Sequence, residues 1–271
     1  MKGNILKMQS TLAAPVQYQL PIGEGLLPMN ENIGKQVKLQ FHDEINCIAC
    51  GRKTKKSFGQ GHCFPCFRSL ASCDMCVMKP ETCHYEEGTC REPEWGKSHC
   101  FIPHYVYLAN SSGIKVGITR GTQVPTRWID QGAAQALPVF QVENRLQSGL
   151  IEVIVKRHVS DRTDWRKMLK ADAKPLDMQA LRDELLDKCA TEIDALKREH
   201  GEGAIRAVDV ATVDIVYPIE QYPEKIKSFN FDKQSLVEGT LMGIKGQYLI
   251  LDTGVLNIRK FSGYNIEVDF I

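Results

Sequence analysis

The chain has 271 residues, of which 43% are apolar and 25% charged, with a formal net charge of +1 and ten cysteines. That length can bury two or three packed modules, and the near-neutral total leaves any argument about polyanions to local charge. No run approaches the roughly 18 consecutive apolar residues of a membrane-spanning helix, and the start, MKGNILKMQST, lacks the apolar run of an export signal, so the expectation is a soluble cytoplasmic protein with no membrane partner.

Residues 1–46 mix short alternating runs with Gly-Pro-rich turns, and Val37, Leu39 and Phe41 alternate with polar residues as a half-buried strand does. Residues 47–100 form a cysteine-rich domain poor in aliphatic side chains, so metal must take the place of a core. Nine of the ten cysteines lie there, and without an export signal such clustering favours metal over disulfides. Cys47-Ile-Ala-Cys50 and Cys63-Phe-Pro-Cys66 are C-x-x-C knuckles separated by 12 residues, the pattern of a tetrahedral four-thiolate zinc site. Gly51 follows the first knuckle, where a left-handed backbone is often required. A second metal site is expected on Cys73 and Cys76 with Cys83 and either Cys90 or Cys100, or with His84 or His99 as a ligand. Two structural Zn²⁺ ions are the expectation, although a [4Fe–4S] cluster also takes four thiolates and stays open at the second site.

Residues 101–172 read as a compact α/β domain. HYVYLAN is a strand, Ser111 to Gly113 a turn and IKVGIT a second strand, which together make a β-hairpin. Arg127 follows in TRWIDQGA on an expected helix, Glu152 lies in LIEVIV, and Asp164-Trp165 close the unit. In this order the elements resemble the core of the GIY-YIG nuclease superfamily. Val106-Tyr107-Leu108 sits where that family has its first name motif and Lys115-Val116-Gly117 where it has the second, with Arg127 matching the helix arginine and Glu152 the metal-binding glutamate. The similarity is closest to the branch with K-[IV]-G-I-T at the second motif, in a family that joins such a core to a cysteine-rich leader. Lysine replaces the second tyrosine, Tyr105 or Val106 the first glycine, and Asp164-Trp165 the closing asparagine. The resemblance implies a divalent-metal-dependent phosphodiester hydrolase in which Glu152 holds Mg²⁺ or Mn²⁺, Arg127 clamps a phosphate, and Tyr107 with Lys115 activates or positions water. The plainer reading makes Tyr107 a half-buried strand residue, Lys115 a solvated one, and Arg127 with Glu152 a structural ion pair.

Residues 173–227 are a helix-and-strand extension. Leu181, Leu185, Cys189, Ile193 and Leu196 fall on one face of a helix over 176–200, with Asp177 as N-cap and Gly201 as stop, so Cys189 reads as a small buried hydrophobe. Residues 205–219 look like one strand. Residues 228–271 read as three or four short antiparallel strands, and pairing them with residues 1–46 would complete a small β-barrel. The expected class is α+β.

Residues 101–170 carry ten Lys/Arg against five Asp/Glu, an excess of +5, and the run RKTKK adds to it, whereas residues 171–227 carry eight against thirteen. A basic core beside basic ribbons is the footprint of a nucleic-acid partner, DNA or RNA. The leading expectation is a zinc-containing nucleic-acid-binding protein with a nuclease core. The alternative is a non-catalytic DNA/RNA-binding or ribonucleoprotein interaction module that keeps the fold. A scaffold whose ribbons grip a protein partner is a third reading. A modification enzyme is a fourth, and no GxGxxG or GxxxxGK[ST] loop supports it.

Overall fold

A computed structural model of the protein describes residues 1–159 and 162–271; Asp161, one of the acids in the charge balance above, lies outside them. The N-terminal residues supply β1 (Lys2–Asn4) and a small antiparallel sheet of β2 (Gln9–Thr11), β3 (Gln17–Ile22) and β4 (Gly25–Pro28). The long β5 (Gln36–Asn46) buries Val37, Leu39 and Phe41 on one face, as their alternation predicts. It runs directly into Cys47, and β6 (Lys53–Thr54) pairs back onto its end. Three short helices then carry the cysteine-rich module: α1 (Phe64–Ser69), α2 (Met75–Met78) and α3 (Pro93–His99).

The α/β core follows. β7 (His104–Asn110) and β8 (Ile114–Arg120) form the expected hairpin, paired from His104–Arg120 to Asn110–Ile114. Next come α4 (Thr126–Asp130), β9 (Gln135–Val142) and α5 (Arg145–Val155). Asn144 and Gln147 make a reciprocal capping box that starts α5. After the single-turn α6 (Trp165–Met168), the long α7 (Met178–His200) begins at Asp177, whose side chain accepts from Ala180 N, and stops at Gly201. It buries Leu185, Cys189 and Ile193. The single strand expected over 205–219 is instead two fragments, β10 (Ile205–Ala207) and β11 (Val213–Asp214), pairing opposite ends of β9. Pro138 lies between those ends and has no N–H to donate to a ladder. The sheet order is therefore β9 with its two fragments, then β7, then β8 at the edge.

The C-terminal segment gives four antiparallel strands: β12 (Leu236–Lys245), β13 (Tyr248–Leu251), β14 (Gly254–Asn257) and β15 (Tyr264–Phe270). They do pair with the N-terminal residues, since β5 lies between β12 and β15, and β1 adds to β15. The barrel expected from that pairing does not close. The order runs β1-β15-β5-β12-β13-β14 and stays open. β14 is bridged at Val255 by Ser228, and the chain beyond β1 turns to bridge Ile5 with Ile22 of the small sheet, so the two edges are engaged apart. One continuous core joins this sheet, the small N-terminal sheet and the α4 side of the α/β sheet, through Trp128, Ile129 and Tyr107. A second core fills the other face of that sheet beneath α5 and α7.

The cysteine-rich module is fixed to this frame at α5. A Cβ on Gly149 would lie 2.6 Å from Pro80 Cβ and 2.7 Å from the Glu81 backbone nitrogen. Only glycine lets the segment after α2 lie this close. Gly149→Ala should therefore destabilise the protein by about 1–3 kcal/mol, because a clash against backbone cannot be relieved by a rotamer change and outweighs the roughly 1 kcal/mol of helix propensity that alanine gains. Thermal unfolding checks this against Gly203→Ala, where nothing lies within 4 Å and no loss is expected. A raised Tm for Gly149→Ala would contradict the packing.

Candidate functional site

Two features stand out on this frame, a cluster of four cysteine sulfurs and an arginine-lined cleft. The sulfurs of Cys47, Cys50, Cys63 and Cys66 all lie within 4.8 Å of one another. Cys50 Sγ and Cys63 Sγ are 3.8 Å apart, which is the edge of a tetrahedron whose corners are ~2.3 Å from a central Zn²⁺. Gly51 takes φ of 70°, the left-handed turn that lets its N–H reach Cys47 O at 2.8 Å. Cys63 caps α1, and β5 feeds Cys47, so both knuckles hang from regular structure. Burial pushes the Cys47 thiol up, but backbone N–H donors from Cys63, Ala49 and Cys50 bring it down to about 6. The neighbouring Cys50 and Cys63 sulfurs push Cys66 up to about 12. Four thiols this close ionise together only when a cation neutralises them, and the donor set fits Zn²⁺ as a closed structural site.

The second cysteine group gathers around one small void that His84 and Asp74 also line. Cys76, Cys83, Cys90 and Cys100 line it. Cys73 is not among them; its charged neighbours are Arg91, Cys47 and Glu92. The two candidate histidines have other partners. His84 meets Thr89 Oγ1 through Nδ1 at 2.7 Å and Asp74 through Nε2 at 3.4 Å, and His99 stacks on Trp95.

The cleft has a volume of about 310 Å³ and lies between β8, α4, α5 and the end of α2. Arg120, Arg127, Arg145, Arg259 and Lys7 line it, with Glu152, Asp130 and Gln131. The guanidiniums feel one another. Burial, and then Arg120 and Arg127 beside it, push Arg145 below its ordinary value, and burial followed by Arg127 does the same to Arg259. Asp130 meets Lys7 at 2.8 Å, Gln247 Nε2 at 2.8 Å and Arg259 at 4.0 Å, one carboxylate shared among two cations and an amide. Half-buried cations that repel one another in a concave site are stabilised by an anion, and the guanidinium fork suits phosphate.

Of the residues singled out in the sequence, Arg127 and Glu152 line this cleft together. Tyr107 and Lys115 are brought to the same place but behind its wall: Tyr107 is fully buried and Lys115 is 4% exposed. Both donate to Gln131 Oε1, Tyr107 at 3.2 Å, and Lys115 also donates to Thr163 Oγ1 at 2.7 Å. Burial is the main cause that pushes Tyr107 up to about 12, with Glu152 adding to it and Arg127 opposing it. A Cβ on Gly117 would stand 2.7 Å from the Tyr107 hydroxyl oxygen, so the glycine of the second motif is what makes room for that phenol. Asp164 and Trp165 serve locally: Asp164 caps α6, and Trp165 stacks on Tyr248. Sequence reasoning missed Gln131, Lys7 and Arg259. No pattern marks the last two, which come from opposite ends of the chain. Arg145 was counted only in the charge balance.

The model of the family described as a protein of unknown function (DUF2797) matches residues 34–266. No curated protein and no solved structure matches the chain. Among the described residues, no helix is long and apolar enough to cross a membrane.

Zinc content tests the first centre. Protein purified without added metal should carry zinc at Cys47, Cys50, Cys63 and Cys66, and Cys63→Ser should lose one equivalent and become protease-sensitive between β5 and α1, because that segment has little apolar core. Unchanged zinc in Cys63→Ser would contradict the assignment.

His104, at the start of β7, gives a pH prediction. It is fully buried, donates Nδ1–H to Ile102 O at 2.7 Å, and its Nε2 has no partner among the described residues. Burial lowers it from 6.5 to about 4, the Ile102 carbonyl opposes that, and Arg145 and Arg120 add to the lowering. Between those values the unfolded chain binds a proton that the folded chain refuses. Stability is full above the window and falls by up to about 3 kcal/mol as pH drops through it. The Tm difference between neutral and mildly acidic buffer should be smaller in His104→Gln than in the wild type; an equal difference would refute it.

Proposed function

This chain belongs to the family described as a protein of unknown function (DUF2797), and on that premise we propose that it binds nucleic acid and hydrolyses phosphodiester bonds in the arginine-lined cleft. The match spans the cysteine-rich module, the α/β core and the C-terminal sheet together, so the function belongs to the assembly of all three. The carrying observation is the convergence of Arg120, Arg127, Arg145 and Arg259 on one concave site that also holds Glu152.

The order β7-β8-α4-β9-α5, with β7 central, supports the resemblance to the GIY-YIG core. In this reading Arg127 and Arg259 hold a phosphate from two sides, and Glu152 is the residue that would hold Mg²⁺ or Mn²⁺. Such an ion keeps several waters and would supply charge neutralisation at the scissile group. Tyr107 stays a neutral phenol at physiological pH because burial favours that form. Its role, with Lys115, is to orient Gln131 at the cleft wall, both donating to the same amide oxygen. That leaves the Gln131 amide N–H groups as donors toward a water or phosphate oxygen.

A second reading has its own support. Tyr107 and Lys115 lie behind Gln131 rather than in the cleft, an arrangement equally suited to a module that kept the fold for DNA or RNA binding without hydrolysis. The two separate in one experiment with labelled duplex DNA, single-stranded DNA and RNA, with and without Mn²⁺. Binding should weaken steeply as salt rises, and Arg127→Ala should reduce the salt slope by about one. Glu152→Ala should lower cleavage by on the order of 10²-fold or more while leaving metal-free binding intact. Binding without cleavage in the wild type selects the binding module. Cleavage by Glu152→Ala at the wild-type rate, or no binding at low salt, overturns the proposal.

A further inference from the structure

The geometry points to a [4Fe–4S] cluster, not a second zinc ion, on Cys76, Cys83, Cys90 and Cys100. These cysteines are separated by six, six and nine residues, so none forms a C-x-x-C knuckle within the set. They nevertheless converge on one void, which Asp74, His84, Tyr85, Trp95 and Phe101 also line.

The spacing of the sulfurs decides between the ions. Four thiolates around one Zn²⁺ at ~2.3 Å pack close enough to exclude even a water molecule from their centre. Cys47, Cys50, Cys63 and Cys66 meet that condition within 4.8 Å; among the described residues, the second foursome does not. A cubane of four irons and four sulfides holds its thiolates farther apart than a single ion does.

The surroundings suit an anionic cluster. Arg145 lies beside Cys100 and Cys76, and its buried Nε has no hydrogen-bond partner among the described residues, although its Nη2 donates to Val77 O at 2.6 Å. A buried guanidinium N–H without an acceptor is costly, and cluster or thiolate sulfur would supply one. The aromatic wall limits water access. The competing ligand set, Asp74 with Cys76 and His84, is already in use: Asp74 binds Arg91 Nε at 2.8 Å and caps α2.

The test is chemical analysis of the full chain purified without oxygen, then again after incubation with ferrous iron and sulfide. The expected result is about four irons and four acid-labile sulfides per chain, a broad visible absorption that bleaches on reduction with dithionite, and one zinc retained at the first centre. Cys83→Ala and Cys90→Ala should lose the iron but keep that zinc, which also reports that the rest of the chain is folded. Cys73→Ala and His84→Ala should keep both metals. Wild-type protein that holds two zinc ions and no iron after both treatments, or that holds no metal at this group, overturns the assignment. So does loss of the iron in Cys73→Ala or His84→Ala with the zinc retained.

Discussion

The approach of Pro80 and Glu81 to Gly149 on α5 is the contact on which the site depends. The cysteine-rich module has few aliphatic side chains and cannot assemble a core of its own. Within it four cysteines are placed so that they could hold a metal ion, and from without it has two anchors. One is β5, which runs straight into Cys47, and the other is α5, which receives the turn after α2. Because Glu152 lies one turn beyond Gly149 and Arg145 one turn before it, the same helix that anchors the module presents the cleft's carboxylate and one of its guanidiniums. Val77, Met78 and Pro80 thus become part of the cleft wall. The placement of the cysteine-rich module and the shape of the candidate site are in this way one problem.

Charge then sets the cleft apart from an ordinary packing defect. Burial first, and then neighbouring guanidiniums, lower Arg145 and Arg259, and Asp130, which also meets Arg259 at 4.0 Å, is shared with Lys7 and Gln247. A fold gains nothing from crowding cations, so the arrangement is best understood through what it binds. The chain as a whole carries +1, and the acidic excess of residues 171–227 offsets the basic excess of residues 101–170. The polarity of the molecule is local, and concentrated where the concavity is.

The sequence was readable where a feature is local. The hairpin follows from its Ser-Ser-Gly turn, α7 from an apolar stripe with an Asp cap and a Gly stop, and the first metal centre from two knuckles whose backbone geometry is built into the motif. It was unreadable where chain segments far apart decide. Lys7 and Arg259 enter the cleft from two ends of the chain through sheet pairing. The strand over 205–219 is split by Pro138, a residue of its partner. The barrel stays open because Ser228 and the Ile5–Ile22 bridge engage its two edges separately. In the second cysteine group, adjacency suggested Cys73 with Cys76, while Cys76, Cys83, Cys90 and Cys100 line the void and the charged neighbours of Cys73 include Arg91, Cys47 and Glu92. Tyr107 and Lys115 lie near Arg127 and Glu152, but alternation in a strand does not reveal that both donate to Gln131.

The central claim is that the cleft between the cysteine-rich module and the α/β core is where nucleic acid lies. Ultraviolet cross-linking of bound single-stranded nucleic acid, followed by mass spectrometry of the adducts, tests it most directly. The account predicts adducts on Val77, Met78, Arg127 and Gln131, around the cleft, and their loss when excess unlabelled nucleic acid competes. Adducts confined to residues 52–56 or to the outer face of the C-terminal sheet, with the cleft unmodified, would contradict it.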